Sequence, residues 1–173
     1  MPTALVTGSA VRIGQAMAQR LAHRGYDLAL HYGRSNPQDT VDYCERAGVR
    51  VRTYPCDLND LQSVENMMQA VVADADDLSL LINSAANFIQ ENVEQTTLQS
   101  LEQSLNVNLM APFLLMREFR KHAGRGLIVN ILDERIEKNI PTFAAYSVSK
   151  VGLAHLTRLA AVEWGETIRV NAI

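Results

Sequence analysis

This sequence is poor in the features that would assign it early. Two cysteines, Cys44 and Cys56, among 173 residues cannot build a disulfide framework. One falls in a predicted helix and the other at a predicted strand end, so both read as reduced fillers in a reducing compartment. Long apolar runs are missing as well. The longest, Leu109 to Met116, falls far short of the ~20 residues a bilayer requires. The first residues carry no basic stretch leading into an apolar one, so no secretory signal is read and the expected location is the cytoplasm. Neither sign of charge dominates: 16 Lys and Arg against 19 Asp and Glu leave a formal −3, which argues against a nucleic-acid or anionic-membrane surface. The four histidines, His23, His31, His122 and His155, have no Cys or acidic neighbours at ligand spacing, so no metal is expected. Linkers, repeats and low-complexity tracts are absent too. What is present is an apolar content of 47%, enough to repay ordering and to fill the core of one domain.

Two periodicities alternate along the chain. Ala4–Val6, Leu28–Leu30, Val49–Tyr54, Leu78–Ile82, Leu127–Ile131 and Ile168–Ile173 read as six short strands. Between them lie helical patterns: Ile13, Met17 and Leu21 up to Gly25; Pro37 through Val41 and Cys44 to Gly48; and Leu61, Val64, Met67, Met68 and Val71 behind an Asp60 cap. A short and then a long helical segment occupies about 97–123, and a last helix runs from about Ala144 to Glu163. Strands alternating with helices predict an α/β fold, a Rossmann-type doubly wound parallel sheet with helices on both faces, in a single domain over 1–173.

The first strand runs into Thr7-Gly8-Ser9-Ala10-Val11-Arg12-Ile13-Gly14. A pyrophosphate would sit at such a turn, against free N–H groups at the positive end of the following helix. The dinucleotide fingerprint wants three glycines, and here Arg12 stands where the middle one would be. Taken alone this is a weak match, shared by strand-to-helix turns in other α/β folds, although the Arg12 cation can pair with phosphate. After the second strand comes His31-Tyr32-Gly33-Arg34-Ser35, with no acid from Leu28 to Gln38. A carboxylate there would hold the ribose hydroxyls of NAD. An arginine suits the 2′-phosphate of NADP.

Tyr146-Ser147-Val148-Ser149-Lys150 opens the last helix, and residues four apart share a face, so phenol and ammonium can share one pocket. Holding a phenol ionisable near pH 7 takes about 4 kcal/mol, much of which a neighbouring lysine cation could supply. Tyr-x-x-x-Lys alone is commonplace. Its context is not: Asp133 ends the fifth strand, Asn83-Ser84-Ala85-Ala86 ends the fourth, and Asn106-Val107-Asn108 lies in the helix between them. In an open α/β sheet these ends face one crevice.

Over its whole length the chain resembles the short-chain dehydrogenase/reductase family, and within it is similar to the pteridine reductases, including the dihydromonapterin and dihydrofolate reductase type. The subgroup's pattern is matched by Arg12, by His31-Tyr32-x-Arg34-Ser35, and by Asp133 where most of the family has a serine. The resemblance implies NADPH/NADP+ as cofactor, bound by Gly8, Arg12, Ile13, Gly14, His31, Tyr32, Arg34, Ser35, Asp57, Leu58, Asn83, Ser84, Ala85, Tyr146 and Lys150. It implies Asp133, Tyr146, Lys150 and Asn108 as catalytic residues, and Arg12, Phe88, Asp133 and Tyr146 as the contacts of a small-molecule substrate, a pterin stacked on Phe88. On this pattern Lys150 lowers the Tyr146 pKa, Asp133 orients Tyr146, and Asn108 holds a helix kink and a proton-relay water. The implied assembly is a homotetramer or homodimer through the two long helices, whose apolar residues exceed what one sheet face needs. Surplus core explains that excess equally well.

Ser84, Ala86 and Asn87 depart from the family's usual residues and leave the substrate open. Two other readings therefore stand beside dihydropterin reduction: reduction of a ketone or 3-oxoacyl thioester, against which Asp133 speaks, and an NADP-binding protein without turnover. Family members continue past the sixth strand into a Pro-Gly turn, a seventh strand and a substrate-covering segment. The chain is therefore expected to be incomplete at its carboxyl end, lacking strand seven.

Overall fold

The computed structural model describes residues 1–173. Six strands, β1 (Thr3–Val6), β2 (Asp27–Tyr32), β3 (Val51–Pro55), β4 (Leu78–Asn83), β5 (Gly126–Asn130) and β6 (Ile168–Ala172), form one parallel sheet in the order β3-β2-β1-β4-β5-β6. The helices are α1 (Arg12–Ala22), α2 (Gln38–Arg46), α3 (Leu61–Asp74), α4 (Leu98–Leu105), α5 (Ala111–His122) and α6 (Ala144–Trp164). The strand order reverses between β1 and β4, and an α/β sheet opens its ligand crevice at such a reversal, beyond the carboxyl ends of the strands.

Alternation along the strands builds two apolar layers. Leu5, Ala29, Leu81 and Ile128 turn to one face and meet Val64, Met68 and Val71 of α3, Leu115, Met116 and Phe119 of α5, and Ala160 of α6. On the other face Leu28 and Leu30 meet Ala18 and Ala22 of α1 and Cys44 of α2, while Ala4, Val6, Leu80 and Ile82 meet Met17 and Leu21. Cys44 and Cys56 are both free. Asp60 caps α3 as expected, its carboxylate accepting from the N–H groups of Gln62 and Ser63. Ile13 shares the helical spacing of Met17 and Leu21 but is 55% exposed, because the first turn of α1 projects beyond the sheet edge into the crevice.

The helical stretch 97–123 is continuous, but α4 and α5 are joined by a π turn, Asn106–Met110, in which the Ala111 N–H reaches the Asn106 carbonyl. Pro112 accounts for it. Proline has no N–H to give the Asn108 carbonyl one turn back, and its ring would clash there. No helix is long and apolar enough to cross a membrane.

Candidate active site

The carboxyl ends of β1 to β5 surround a crevice of about 960 Å³, walled on one side by the β1–α1 turn and on the other by α6. The turn is shaped by sterics. Gly8 has φ +66, and a Cβ there would lie 2.9 Å from the Ala85 Cα; a Cβ on Gly14 would strike the Gly8 carbonyl. Arg12, in the place of the expected middle glycine, also adopts a left-handed φ of 55, which an L side chain enters only at a cost. Val11 gives α1 no side-chain cap, and the N–H groups of Arg12, Ile13 and Gly14 have no acceptor in the protein. An uncapped helix end beside two arginines, Arg12 and Arg34, is a seat shaped for an anion.

Two buried side chains tie this turn to its neighbours. The Gly8 N–H donates to His31 Nδ1 (3.1 Å) and His31 Nε2 bonds the Cys56 carbonyl (3.0 Å). One ring nitrogen must therefore accept while the other donates, which fixes a neutral tautomer. Burial lowers the imidazole's pKa against the opposing pull of Cys56, consistent with that state. Thr7 Oγ1 accepts the N–H groups of both Ser84 and Ala85 at 3.0 Å, locking the end of β4 onto the turn.

On the opposite wall the Tyr146 hydroxyl donates to Asp133 Oδ2 (3.0 Å), and Lys150 Nζ donates to the Ile131 carbonyl (2.7 Å). Lys150 is only 2% exposed, and burial pulls its ammonium down to about 8 despite the favourable Asp133 charge. Burial raises the Tyr146 phenol well above its ordinary value, and the Asp133 charge and hydrogen bond add to that; Arg135 opposes weakly. This corrects the expectation that Lys150 lowers the Tyr146 pKa. The ammonium sits 5.7 Å from the Tyr146 ring centroid and is hydrogen-bonded elsewhere, whereas the carboxylate touches the phenol oxygen itself. Burial alone would raise the Asp133 carboxyl, but hydrogen bonds from the Arg135 N–H and guanidinium and from Tyr146, with the Arg135 charge, hold it below its usual range.

The crevice gathers Gly8, Arg12, Ile13, Gly14, His31, Arg34, Asp57, Leu58, Ser84, Ala85, Phe88, Asp133, Tyr146 and Lys150. Four expected residues stand outside its lining. Tyr32 follows His31 in the strand, so its side chain turns to the other face. Ser35 is exposed on the turn beyond Arg34. Asn83 is buried and donates to Asn130 Oδ1 (2.8 Å). Asn108 is fully buried in the π turn: its Oδ1 accepts the Asn87 N–H (2.9 Å), and its Nδ2 donates to Asn87 Oδ1 (2.8 Å) and Ser149 Oγ (3.1 Å). Ser149 in turn donates to the Tyr146 carbonyl (2.6 Å). Asn108 thus braces the turn of α6 that carries Tyr146 and touches the crevice only through other residues.

Sequence reasoning gave no structural role to Thr7, Asn87, Arg135 or Phe143. Thr7 carried a readable signal, a hydroxyl at a strand end before the glycine turn. The other three carried none: Asn87 meets Asn108 and Phe143 meets Phe88 across the chain, and nothing in the local pattern marks the grip of Arg135 on Asp133.

The comparisons agree with this geometry. The short chain dehydrogenase family profile matches residues 2–173. A short-chain dehydrogenase/reductase of Armillaria gallica is 33% identical over 98% of this chain and 68% of its own length. The D-threitol dehydrogenase of Mycolicibacterium smegmatis is 32% identical over 98% of this chain and 67% of its own. A short chain dehydrogenase from Burkholderia cenocepacia, solved in complex with NADP, superposes with a TM-score of 0.94 at 31% identity, covering 99% of this chain and 72% of that one. The chain belongs to the short-chain dehydrogenase family. It is an oxidoreductase of that family, built on a six-stranded Rossmann-type sheet.

Proposed function

We propose that this protein binds NADP(H) and reduces a dihydropterin or dihydrofolate-like substrate, with Tyr146 as proton donor. The uncapped first turn of α1, the space left by Gly8 and the cations of Arg12 and Arg34 fit a dinucleotide carrying a 2′-phosphate. The NADP-bound Burkholderia relative supports the same cofactor. NADPH, when bound, supplies the hydride. Gly8 to Gly14 would hold its pyrophosphate, Arg12 and Arg34 its 2′-phosphate, Asp57 and Leu58 its adenine, and Ser84, Ala85 and Lys150 its nicotinamide half.

The observation that carries the substrate class is the Asp133 carboxylate on Tyr146 Oη. An ionised carboxylate only accepts hydrogen bonds. It therefore favours a substrate presenting N–H groups, such as a pterin, over a ketone oxygen that needs donors. Tyr146 keeps its proton because its pKa is raised, so the group that must give a proton in a reduction is loaded at neutral pH. Lys150 places a buried cation beneath the same site.

A second reading, turnover of a hydroxyl or keto substrate, is favoured by the relatives, one of which is a D-threitol dehydrogenase. NADPH oxidation measured against dihydrobiopterin, dihydromonapterin, dihydrofolate and an acetoacetyl thioester separates the two. Asp133→Ser is expected to lose dihydropterin reduction while NADPH binding persists. Equal loss of both removes Asp133 from the substrate side, and turnover of the thioester alone selects the second reading.

The proposed assembly is a pair or tetramer of this chain. Val148, Val151, Leu159 and Val162 on α6, with Met110 at the end of the π turn and Phe113 on α5, are all exposed and suit burial against a second copy.

A further inference from the structure

The surroundings of Asp133 include two side chains that the reaction above does not use, Arg135 and Phe143, and a third, Phe88, on which the substrate is expected to stack. Arg135 lies in a single 3-10 turn, Glu134–Ile136, directly after Asp133. Its backbone N–H and its Nη1 both donate to Asp133 Oδ1, at 3.0 and 2.9 Å, leaving Oδ2 to Tyr146. The pair is shielded: the Arg135 and Asp133 side chains are 16% and 21% exposed, unlike the solvated ion pair of Glu134 and Lys138 next to it. The guanidinium carbon lies 5.2 Å from the Phe88 ring centroid and 4.8 Å from that of Phe143. Those two rings stack at 4.0 Å and 21°, and Phe88 meets the Tyr146 ring edge-on at 4.7 Å. A cation within about 6 Å of an aromatic face is attracted to it, the more so when water is excluded.

We propose that Arg135 is a positioning residue that keeps Asp133 ionised and aimed at Tyr146, and that Phe88 and Phe143 form the aromatic clamp that holds the guanidinium there. The proposal rests on Asp133 and Tyr146 being the pair that handles the proton in the reaction. The charged groups acting on that pair are Arg135 from its own turn and Lys150 from α6, while the loop after β4 contributes the uncharged Asn87 and Phe88. Without Arg135, Oδ1 of a half-buried carboxylate loses both its side-chain partner and its nearest cation. Protonation of Asp133 then sets in at a higher pH, and a protonated Asp133 competes as a donor where Tyr146 needs an acceptor. Phe88 thereby takes on a second task. One of its faces is already occupied by Phe143, so a stacked substrate has only the other.

The test is a carbon-13 NMR titration of the Asp133 carboxyl, assigned by its loss in Asp133→Asn, in the wild type, Arg135→Gln, Arg135→Lys and Phe143→Leu. The midpoint is expected to rise by about one pH unit or more in Arg135→Gln. It should return most of the way in Arg135→Lys and rise by a smaller amount in Phe143→Leu, with NADPH binding unchanged in all three. An unmoved midpoint in Arg135→Gln overturns the proposal. If that variant does not fold, an unmoved midpoint in Phe143→Leu overturns the clamp and, with it, the proposal. The titration needs no substrate, so it is read whether or not dihydropterins are reduced. Where they are, the acid limb of turnover in Arg135→Gln moves up in pH with the carboxyl. A limb that stays in place while the carboxyl moves refutes the role given to Asp133 and leaves the hold of Arg135 standing.

Discussion

The two walls of the crevice are held by different physics. The wall formed by β1, β2 and α1 depends on shape: Gly8 and Gly14 are where a Cβ would collide with Ala85 or with the turn itself, and a neutral His31 pins the turn through uncharged hydrogen bonds. The wall formed by β5 and α6 depends on charge: Asp133, Arg135, Tyr146 and Lys150 sit within a few contacts of one another, partly or wholly out of water. An anion seat must be present at every pH, so backbone N–H groups and sterics suit it. A proton-handling wall must respond to proton affinity, so titratable groups in a desolvated site suit it. Substitutions on the first wall should therefore act on binding and stability almost independently of pH, and those on the second on turnover and its pH profile.

The largest effect that separates the walls is expected from Tyr146→Phe. Loss of a positioned proton donor lowers turnover by roughly 10²–10⁴-fold. NADPH binding followed by fluorescence should hardly change, and comparable losses in both would erase the distinction. Gly14→Ala does the reverse. Its Cβ strikes the Gly8 carbonyl, and such overpacking is expected to cost about 3 kcal/mol in a denaturant titration and to weaken NADPH binding at all pH values. A binding loss confined to one side of neutrality would contradict a wall built from shape and from cations that stay charged at every pH tested.

Lys150 tests the charge wall through stability. Its folded pKa is about 8 against 10.5 for a free lysine, so between these values the unfolded chain binds more protons and stability rises with pH. The buried ammonium's penalty is fully present below pH 8 and relieved towards pH 10. Wild-type stability relative to Lys150→Met is expected to climb by about 2 kcal/mol across that window in urea titrations. A flat difference would show that Lys150 is not desolvated. Above pH 10 the raised Tyr146 pKa acts in the opposite sense, because only the unfolded phenol ionises there.

The smallest effect sharpens the shape wall. Arg12→Gly relieves a left-handed φ while adding unfolded-state entropy, for a net gain of about 0.5 kcal/mol in stability. It should nevertheless weaken binding of NADP more than of NAD. Opposite signs in the melt and the binding assay would mark Arg12 as a residue kept at some cost to the backbone. Lower stability would show that its side chain, not its backbone, dominates the turn.

The six strands and their helices were legible because each needs only its own periodicity and punctuation, as Asp60 capping α3 illustrates. The meeting of Tyr146, Lys150 and Asp133 was legible because helical spacing and the parallel-sheet rule bring strand ends together. The long-range partnerships were not. Asn108 was expected to hold a helix kink and does lie in the π turn before Pro112, but its partners there, Asn87 and Ser149, were not foreseen.

By itself the sequence determined the order of elements, and so a doubly wound parallel sheet whose strand ends bring the glycine turn and the Tyr146–Lys150 helix to one crevice. Only the tertiary structure decided the charges. Whether a phenol's pKa rises or falls depends on which neighbour touches its oxygen and how much water is excluded. Here Asp133 touches it while Lys150 turns to the Ile131 carbonyl, and Arg135 reaches Asp133 across two aromatic rings from segments more than fifty residues apart.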